Sequence, residues 1–129
     1  MKNLLLMLAL ALSLVACGGG GDSAEKVFAD MTANMQEMSA IMAGVTDEAS
    51  AKAAVSRIEA VRAKMRDCAR RARAVPKIDA ATEQRINEAS QAVQRDVMPK
   101  LLEARQRLES RPELMAILAP ALQGMENDL

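Results

Sequence analysis

The sequence predicts an all-α protein, an antiparallel bundle of three long helices followed by a short fourth helix. Apolar residues recur at intervals of three and four along most of the chain after residue 27, which is the spacing of one helix face. No segment shows the strict apolar and polar alternation that is typical of a half-buried strand. Half of the 129 residues are hydrophobic, but Phe28 is the only aromatic one. The core is therefore expected to consist of small and flexible side chains that favour close helix packing.

An apolar run opens the chain. Lys2 precedes an uncharged stretch from Leu4 to Val15, and small residues follow it, in the order of a secretory signal peptide. As a helix, this run would reach only about 18 Å, which is too short for a hydrocarbon core of about 30 Å. The segment Leu14-Val15-Ala16-Cys17 resembles the lipobox of bacterial lipoproteins.

This resemblance implies that Cys17 becomes the mature N-terminus and carries acyl chains, such as palmitate, that hold the protein on a membrane. Because each buried methylene adds about 0.8 kcal/mol of membrane affinity, two or three such chains anchor a protein in practice permanently. Gly18 follows the cysteine where an aspartate would favour inner-membrane retention, so the resemblance implies the outer membrane, facing the periplasm. An ordinary secretory signal cleaved nearby is the alternative, and it would leave Cys17 as a second thiol.

The chain is expected to divide into three parts. Residues 1–16 form the lipoprotein signal peptide, residues 17–21 the lipidated cysteine with a glycine tether, and residues 22–129 a single helical domain. By random-coil scaling the four glycines span roughly 10 to 12 Å. The folded domain is therefore expected to lie near the lipid headgroups.

The first two helices are predicted from two apolar stripes. Ser23, or Asp22 with Glu25, can cap the first helix, and Gly44 suits a glycine C-cap. The second helix restarts at Thr46-Asp47-Glu48 and ends before Pro76. The stripes are Phe28, Met31, Met35, Met38, Met42 and Val45 in the first helix, and Ala51, Ala54, Ile58, Val61, Met65, Cys68, Ala72 and Val75 in the second. Such coiled-coil-like seams predict an antiparallel hairpin. The segment Val45 to Ala54 also resembles a turn and helix of small secreted helical bacterial proteins of unknown function.

A third helix is expected to begin at Asp79 and to kink or break at Pro99, which lacks a backbone donor. Its inward residues are Ile86, Ala89, Val93 and Val97, then Leu101, Leu102 and Leu108. Ser110-Arg111-Pro112-Glu113 predicts a capping box for the fourth helix. The apolar face of that helix is Leu114, Met115, Leu118, Leu122 and Met125. Whether this helix is a fixed part of the bundle or a displaceable lid stays open.

Charge is unevenly distributed. The first helix region has six acidic residues against Lys26, net −5, and the segment Lys52 to Lys77 has nine basic residues against two acidic ones, net +7. An acidic helix beside a basic one explains this pattern, with i,i+4 pairs such as Glu103/Arg107. The alternative is a patch that binds an anion or an acidic partner, formed by Arg66, Arg70, Arg73 and Lys77.

Sulfur-containing side chains raise two further questions. Met31, Met35, Met38 and Met42 either fill the core or offer soft thioethers to Cu(I), and their stripe position favours the core. Cys68 lies in the seam of the second helix and is expected to be a buried, inert thiol. The alternative is a redox-sensitive or dimer-bridging cysteine.

The expected function is non-catalytic. The chain has no histidine and no glycine loop between a strand and a helix, so the usual catalytic bases and phosphate cradles are missing, and no cofactor is expected. Basic residues without interleaved aromatics also argue against nucleic acid. The sequence therefore predicts a membrane-anchored interaction or structural module of the cell envelope, with a protein partner or self-association. A periplasmic stress or chaperone-like protein, or a sensor of an anion or soft metal, is the alternative.

Overall fold

The computed structural model describes residues 23–125, which form five α-helices in succession. They are α1 (Ala24–Ala43), α2 (Glu48–Ala74), α3 (Ala80–Asp96), α4 (Met98–Glu109) and α5 (Pro112–Leu122). This part of the chain contains no strand, and the prediction of an all-α fold is confirmed. The predicted signal peptide, Cys17 and the glycine tether lie outside the described residues.

Side-chain caps fix the starts of the first three helices. The Ser23 side chain accepts a hydrogen bond from the Lys26 amide at 3.1 Å. A capping box links Asp47 and Ser50, because the Ser50 amide donates to the Asp47 carboxylate at 2.7 Å and the Asp47 amide donates to Ser50 Oγ at 3.0 Å. At the start of α3 the Asp79 carboxylate accepts from the Thr82 amide at 2.7 Å. These groups satisfy amides that a helix leaves without partners in its first turn.

The predicted capping box of the last helix is wrong. Arg111 is the N-cap of α5 and makes no capping hydrogen bond with its side chain. Because α5 begins one residue later than predicted, Ser110 belongs to the end of α4, where its hydroxyl donates to the Arg107 carbonyl at 2.6 Å. Pro112 still occupies the first turn of α5, where no backbone donor is needed.

The predicted third helix breaks at Val97, two residues before Pro99. The kink or break predicted from that proline is therefore present. Val97 lies between α3 and α4 with φ −102° and ψ −48°, which keeps it close to helical geometry. Its amide still bonds to the Val93 carbonyl at 2.9 Å, and its carbonyl accepts from the Leu101 amide at 3.1 Å. Pro99 lies in the first turn of α4, so its missing N–H costs no hydrogen bond there.

Two buried clusters hold the helices together. The main core draws on α1, α2, α4 and α5 and on Val45 between the first two helices; its largest fully buried members are Met38, Ile41, Val45, Ile58, Val61, Leu108, Leu114 and Leu118. A smaller cluster joins Ala24, Val27, Val75 and Ile86. Helix α3 supplies nothing to the main core, and its buried residues are Ile86 and Val93. Ala89, predicted to point inward, is exposed because α3 stands away from α1 at this level.

Gly44 ends α1 in an unexpected conformation. It is the C-cap, and its amide donates to the Ala40 carbonyl at 3.1 Å, but its φ is −78°. This right-handed geometry is open to any L-residue, so the glycine is not required for a left-handed cap. Val45, buried to 1% exposure, supplies the predicted hydrophobic contact behind it.

Gly44→Ala is therefore expected to stabilise the protein by about 0.4 to 1 kcal/mol, because alanine has less backbone entropy to lose on folding. The added Cβ would meet the Ala40 and Ile41 carbonyl oxygens at 3.5 Å, an ordinary contact. Urea unfolding should show a higher midpoint with an unchanged slope. Gly124→Ala is the control, because Gly124 has φ 78° and the same change there should destabilise. Equal losses in both variants would contradict the prediction.

Candidate functional site

The four cations proposed as a binding patch do not form a single free surface. Arg70 is ion-paired with Asp67, one helical turn away on α2, and Arg66 is also engaged by another group. Arg73 and Lys77 are exposed and have no ion-pair partner among residues 23–125. The structure therefore narrows the candidate patch to two cations, Arg73 in the last turn of α2 and Lys77 just beyond it.

Acidic α1 and basic α2 are linked by ion pairs. Asp30 accepts from Arg71 Nη2 at 2.7 Å, and Glu37 accepts from Lys64 Nζ at 2.7 Å. Arg71 is the most buried cation of these pairs, with 21% of its side chain exposed, and it also lies 3.6 Å from the Asp67 carboxylate. Much of the charge asymmetry in the sequence thus stabilises helix packing.

The methionine stripe lies mostly in the core. Met31, Met38 and Met42 are buried, and Met35 packs against the same cluster while half-buried. Thioethers in this position fill gaps between α1 and its neighbours. The placement agrees with the packing role of the stripe, and Cu(I) binding stays an untested alternative.

Cys68 is a buried free thiol, and its predicted burial is confirmed. The Asn34 side-chain amide donates to Cys68 Sγ at 3.4 Å across the α1 and α2 contact. Burial raises the pKa of the thiol above its usual value, although nearby Arg71 opposes the shift. The thiolate is the reactive form of cysteine, and a raised pKa reduces its population. Burial also keeps oxidants and other thiols away from Cys68, so we expect it to oxidise or form a disulfide slowly.

Arginine side chains from α4 and its junction with α5 close the end of α1. Arg107 Nη2 donates to the carbonyl oxygens of Met42 and Ala43 at 2.9 and 3.0 Å, and its Nη1 donates to that of Val45 at 3.0 Å. Arg111 Nη1 donates to the carbonyl oxygen of Thr46, the next residue of the same turn, at 3.0 Å. We call Arg107 and Arg111 the arginine clamp, because together they bind the last two carbonyls of α1 and two carbonyls of the turn that follows it.

Sequence reasoning missed the arginine clamp. The spacing suggested that Arg107 pairs with Glu103 on the same helix, but that ion pair does not form within the described chain. Backbone carbonyls compete successfully with Glu103 because three of them, two at the end of α1 and that of Val45 just after it, converge on one guanidinium at the negative end of the helix dipole. Arg62 plays a similar part on α5, donating to the Ala121 carbonyl at 2.7 Å. The sequence contains no signal for the arginine clamp, because Gly44 suggested a left-handed cap that would satisfy the end of α1 without an arginine.

An open groove runs between α1 on one side and α3 and α4 on the other. Its two adjoining parts have volumes of about 470 and 510 Å³ and share Gln36, Asp96 and Val97. Exposed alanines form much of its α1 wall, namely Ala29, Ala33, Ala40 and Ala43. Charged groups lie at both ends, with the ion pair of Glu25 and Arg85 at one and Arg107 at the other. A concave, small-residue surface of this shape suits a helix or an extended segment.

Stability is expected to fall in acid because aspartates hold the helices and their caps. Hydrogen bonds from Arg71 and then Lys26 lower the pKa of Asp30, and the Ser50 amide lowers the pKa of Asp47. A carboxylate whose pKa is lower in the folded state stabilises that state above its unfolded pKa of about 3.9, and this contribution disappears as pH falls through the folded value.

The free energy of unfolding should therefore be level between about pH 5 and about pH 8 and decline below about pH 4. Asp30→Asn should flatten part of that decline in urea titrations at several pH values. Glu59→Gln, at an exposed position without an ion pair among the described residues, is the control and should leave the pH profile unchanged. Identical profiles for Asp30→Asn and the parent would contradict the assignment.

No helix within residues 23–125 combines the length and the apolar character needed to cross a bilayer. Comparisons with protein-family models, with curated proteins and with solved structures return no match to this chain. Its function must therefore be argued from its own residues.

Proposed function

We propose that this protein is a lipid-anchored, non-catalytic helical module of the bacterial cell envelope that binds a protein partner or a second copy of itself. The observation that carries the proposal is Leu14-Val15-Ala16-Cys17 at the end of the apolar run that follows Lys2. Acyl chains on Cys17 would hold the domain on the outer membrane, facing the periplasm. The helical body begins at Ala24, a few residues beyond this cysteine.

The proposed module is an antiparallel bundle of three long helices and a short one. In this description α3 and α4 are one long element bent at Val97, and α5 is the short fourth helix. Contacts between α1 and α2 support the antiparallel arrangement, because positions rise along one helix as they fall along the other. The pairs are Asp30 with Arg71, Asn34 with Cys68, and Glu37 with Lys64.

The groove between α1 and the α3–α4 element is the proposed partner surface. Its α1 wall carries exposed alanines, which let another backbone approach closely. Ile86 and Val93 offer apolar contacts on the other wall. Ion pairs and charged side chains at the rim of the groove would fix the position of a docked helix along it.

Lipidation is tested by growing cells with labelled palmitate. The parent protein and Cys68→Ala should both incorporate label, and Cys17→Ser should not, because the thioether forms on Cys17 alone. Mass spectrometry of the N-terminal peptide should find an acylated cysteine as the first residue. An unmodified N-terminus at any other residue would refute the anchored part of the proposal.

The partner surface is tested by placing a photoreactive amino acid at Ala33, inside the groove, or at Ala60, an exposed position of α2 outside it. We expect one saturable adduct from position 33, with a defined protein or a second copy, that is lost in Cys17→Ser. No such adduct should form from position 60. Many adducts with unrelated unfolded proteins would instead support the chaperone-like alternative.

A further inference from the structure

We infer that one end of the bundle rests on an anionic phospholipid leaflet, with Arg73 and Lys77 against its phosphate groups. This end comprises the start of α1, the end of α2 and the start of α3, and we call it the anchor end. The inference rests on the proposed lipid anchor at Cys17 and specifies which face of the domain the anchor turns toward the membrane.

Packing brings the two relevant segments together. Ala24 and Val27 at the start of α1 share a buried cluster with Val75, just after α2, and with Ile86 of α3. Arg71 of α2 reaches Asp30 of α1 at 2.7 Å. The first turn of α1 and the last turn of α2 are therefore side by side at the anchor end.

Chain length keeps the anchor end near the bilayer. Ser23 lies six positions after Cys17, and six fully extended residues span at most about 20 to 22 Å. The opposite end of α1 lies a helix length away, about 30 Å for its 20 residues. The charge of a membrane surface acts over a Debye length of about 8 to 10 Å. When the helices stand away from the bilayer plane, only the anchor end comes within this distance of the lipid phosphates.

Most acidic groups of the anchor end already have a partner in the fold, whereas two of its cations have no ion-pair partner among the described residues and can bind lipid phosphates. The acidic groups Glu25, Asp30 and Asp67 are ion-paired, and Asp79 caps α3, while Glu83 is exposed. Arg73, in the last turn of α2, and Lys77, three residues after its end, are exposed and have no ion-pair partner within residues 23–125. Phosphate groups of a leaflet complement such a pair, and a guanidinium can bind one through two parallel hydrogen bonds.

Removing both charges should shift the orientation of the domain measurably. Each cation near an anionic leaflet contributes about 1 kcal/mol, so losing two lowers the ratio of molecules with the anchor end on the surface to molecules in other orientations about thirtyfold. Arg73→Gln/Lys77→Gln makes this change. Arg57→Gln/Lys100→Gln is the matched control, because it removes two exposed cations that also lack ion-pair partners and belong to other parts of the surface.

The experiment uses the full lipidated chain in vesicles of phosphatidylcholine alone or with about one third phosphatidylglycerol. A dye is attached through Ala81→Cys, in the first turn of α3, or through Ala49→Cys, in the first turn of α2. Energy transfer to acceptor lipids then reports how close each end is to the bilayer. Buried Cys68 stays unlabelled, and circular dichroism checks that both double variants remain helical.

We expect stronger transfer from position 81 than from position 49 in anionic vesicles, and a smaller difference in neutral ones. Arg73→Gln/Lys77→Gln should lose the anionic effect, and the control double variant should keep it. Equal behaviour of the two double variants, with both proteins still on the vesicles, would overturn this inference and leave the anchor intact. An unacylated Cys17 with no vesicle association would overturn both proposals.

Discussion

Leu118→Ala is expected to lower the free energy of unfolding by about 2 to 5 kcal/mol, the largest effect of any variant considered. Leu118 is fully buried and belongs to the main core together with Ile58 and Leu108. Truncation removes the apolar contacts of the lost atoms and leaves a cavity between α2 and α5, which are packed against each other. A domain of this size has a total stability of only about 5 to 15 kcal/mol, so the variant should unfold at a much lower urea concentration.

The same measurement decides whether α5 is a lid or part of the fold. Leu102→Ala on α4 is the control, because Leu102 is half-buried and lies outside both buried clusters; it should cost about 1 kcal/mol or less. If α5 were a lid that detaches independently, Leu118→Ala would speed amide exchange in residues 112–122 and leave the global urea midpoint unchanged. That result would show that α5 does not unfold together with the core and is a lid.

Arg107→Met is expected to lower the free energy of unfolding by about 1 to 2 kcal/mol. The change keeps an apolar side chain of similar length but removes the donors that bind the carbonyls at the end of α1. Carbonyls at a helix C-terminus carry the negative end of its dipole, and they would be left to water. The figure stays below that of a fully buried charged hydrogen bond because Arg107 is exposed.

Two variants separate the arginine clamp from a general charge effect. Arg105→Met removes an arginine from the same helix, but among residues 23–125 Arg105 pairs only with Glu109 one turn away, at 2.6 Å, so its loss should cost about 0.5 kcal/mol or less. Arg107→Lys keeps the charge and loses the planar fork, so its stability should fall between those of the parent and Arg107→Met. Equal losses for Arg105→Met and Arg107→Met in urea unfolding would contradict the clamp.

The helices themselves were predictable from local spacing. Of the eight residues assigned to the seam of α2, the structure buries Ile58, Val61, Cys68 and three others in the main core and Val75 in the smaller cluster, while Ala72 is half-buried. This works because the side of a helix that faces a partner is fixed by the period of its own sequence. Helix starts at Ser23, Asp47 and Asp79 were equally local, since each cap binds an amide three residues away.

Features that depend on distant segments were missed. Gly44 has right-handed geometry where the sequence suggested a left-handed cap, and Arg107, more than sixty residues further on, satisfies the helix end instead. Asn34 is buried because a thiol on another helix accepts its hydrogen bond. In the candidate patch, spacing identified a row of cations, but only the folded chain separates Arg73 and Lys77 from neighbours that are already engaged.

We expect the break at Val97 to let the molecule unfold as two cooperative units. Because α3 adds no residue to the main core, it can unfold while α1, α2, α4 and α5 keep their contacts. This opening unfolds only part of the domain. It exposes the amides of α3 to hydrogen exchange at a lower free energy than complete unfolding requires. Native-state hydrogen exchange should therefore report residues 80–96 as the first unit to open, and limited proteolysis should cut there while the rest of the domain resists digestion.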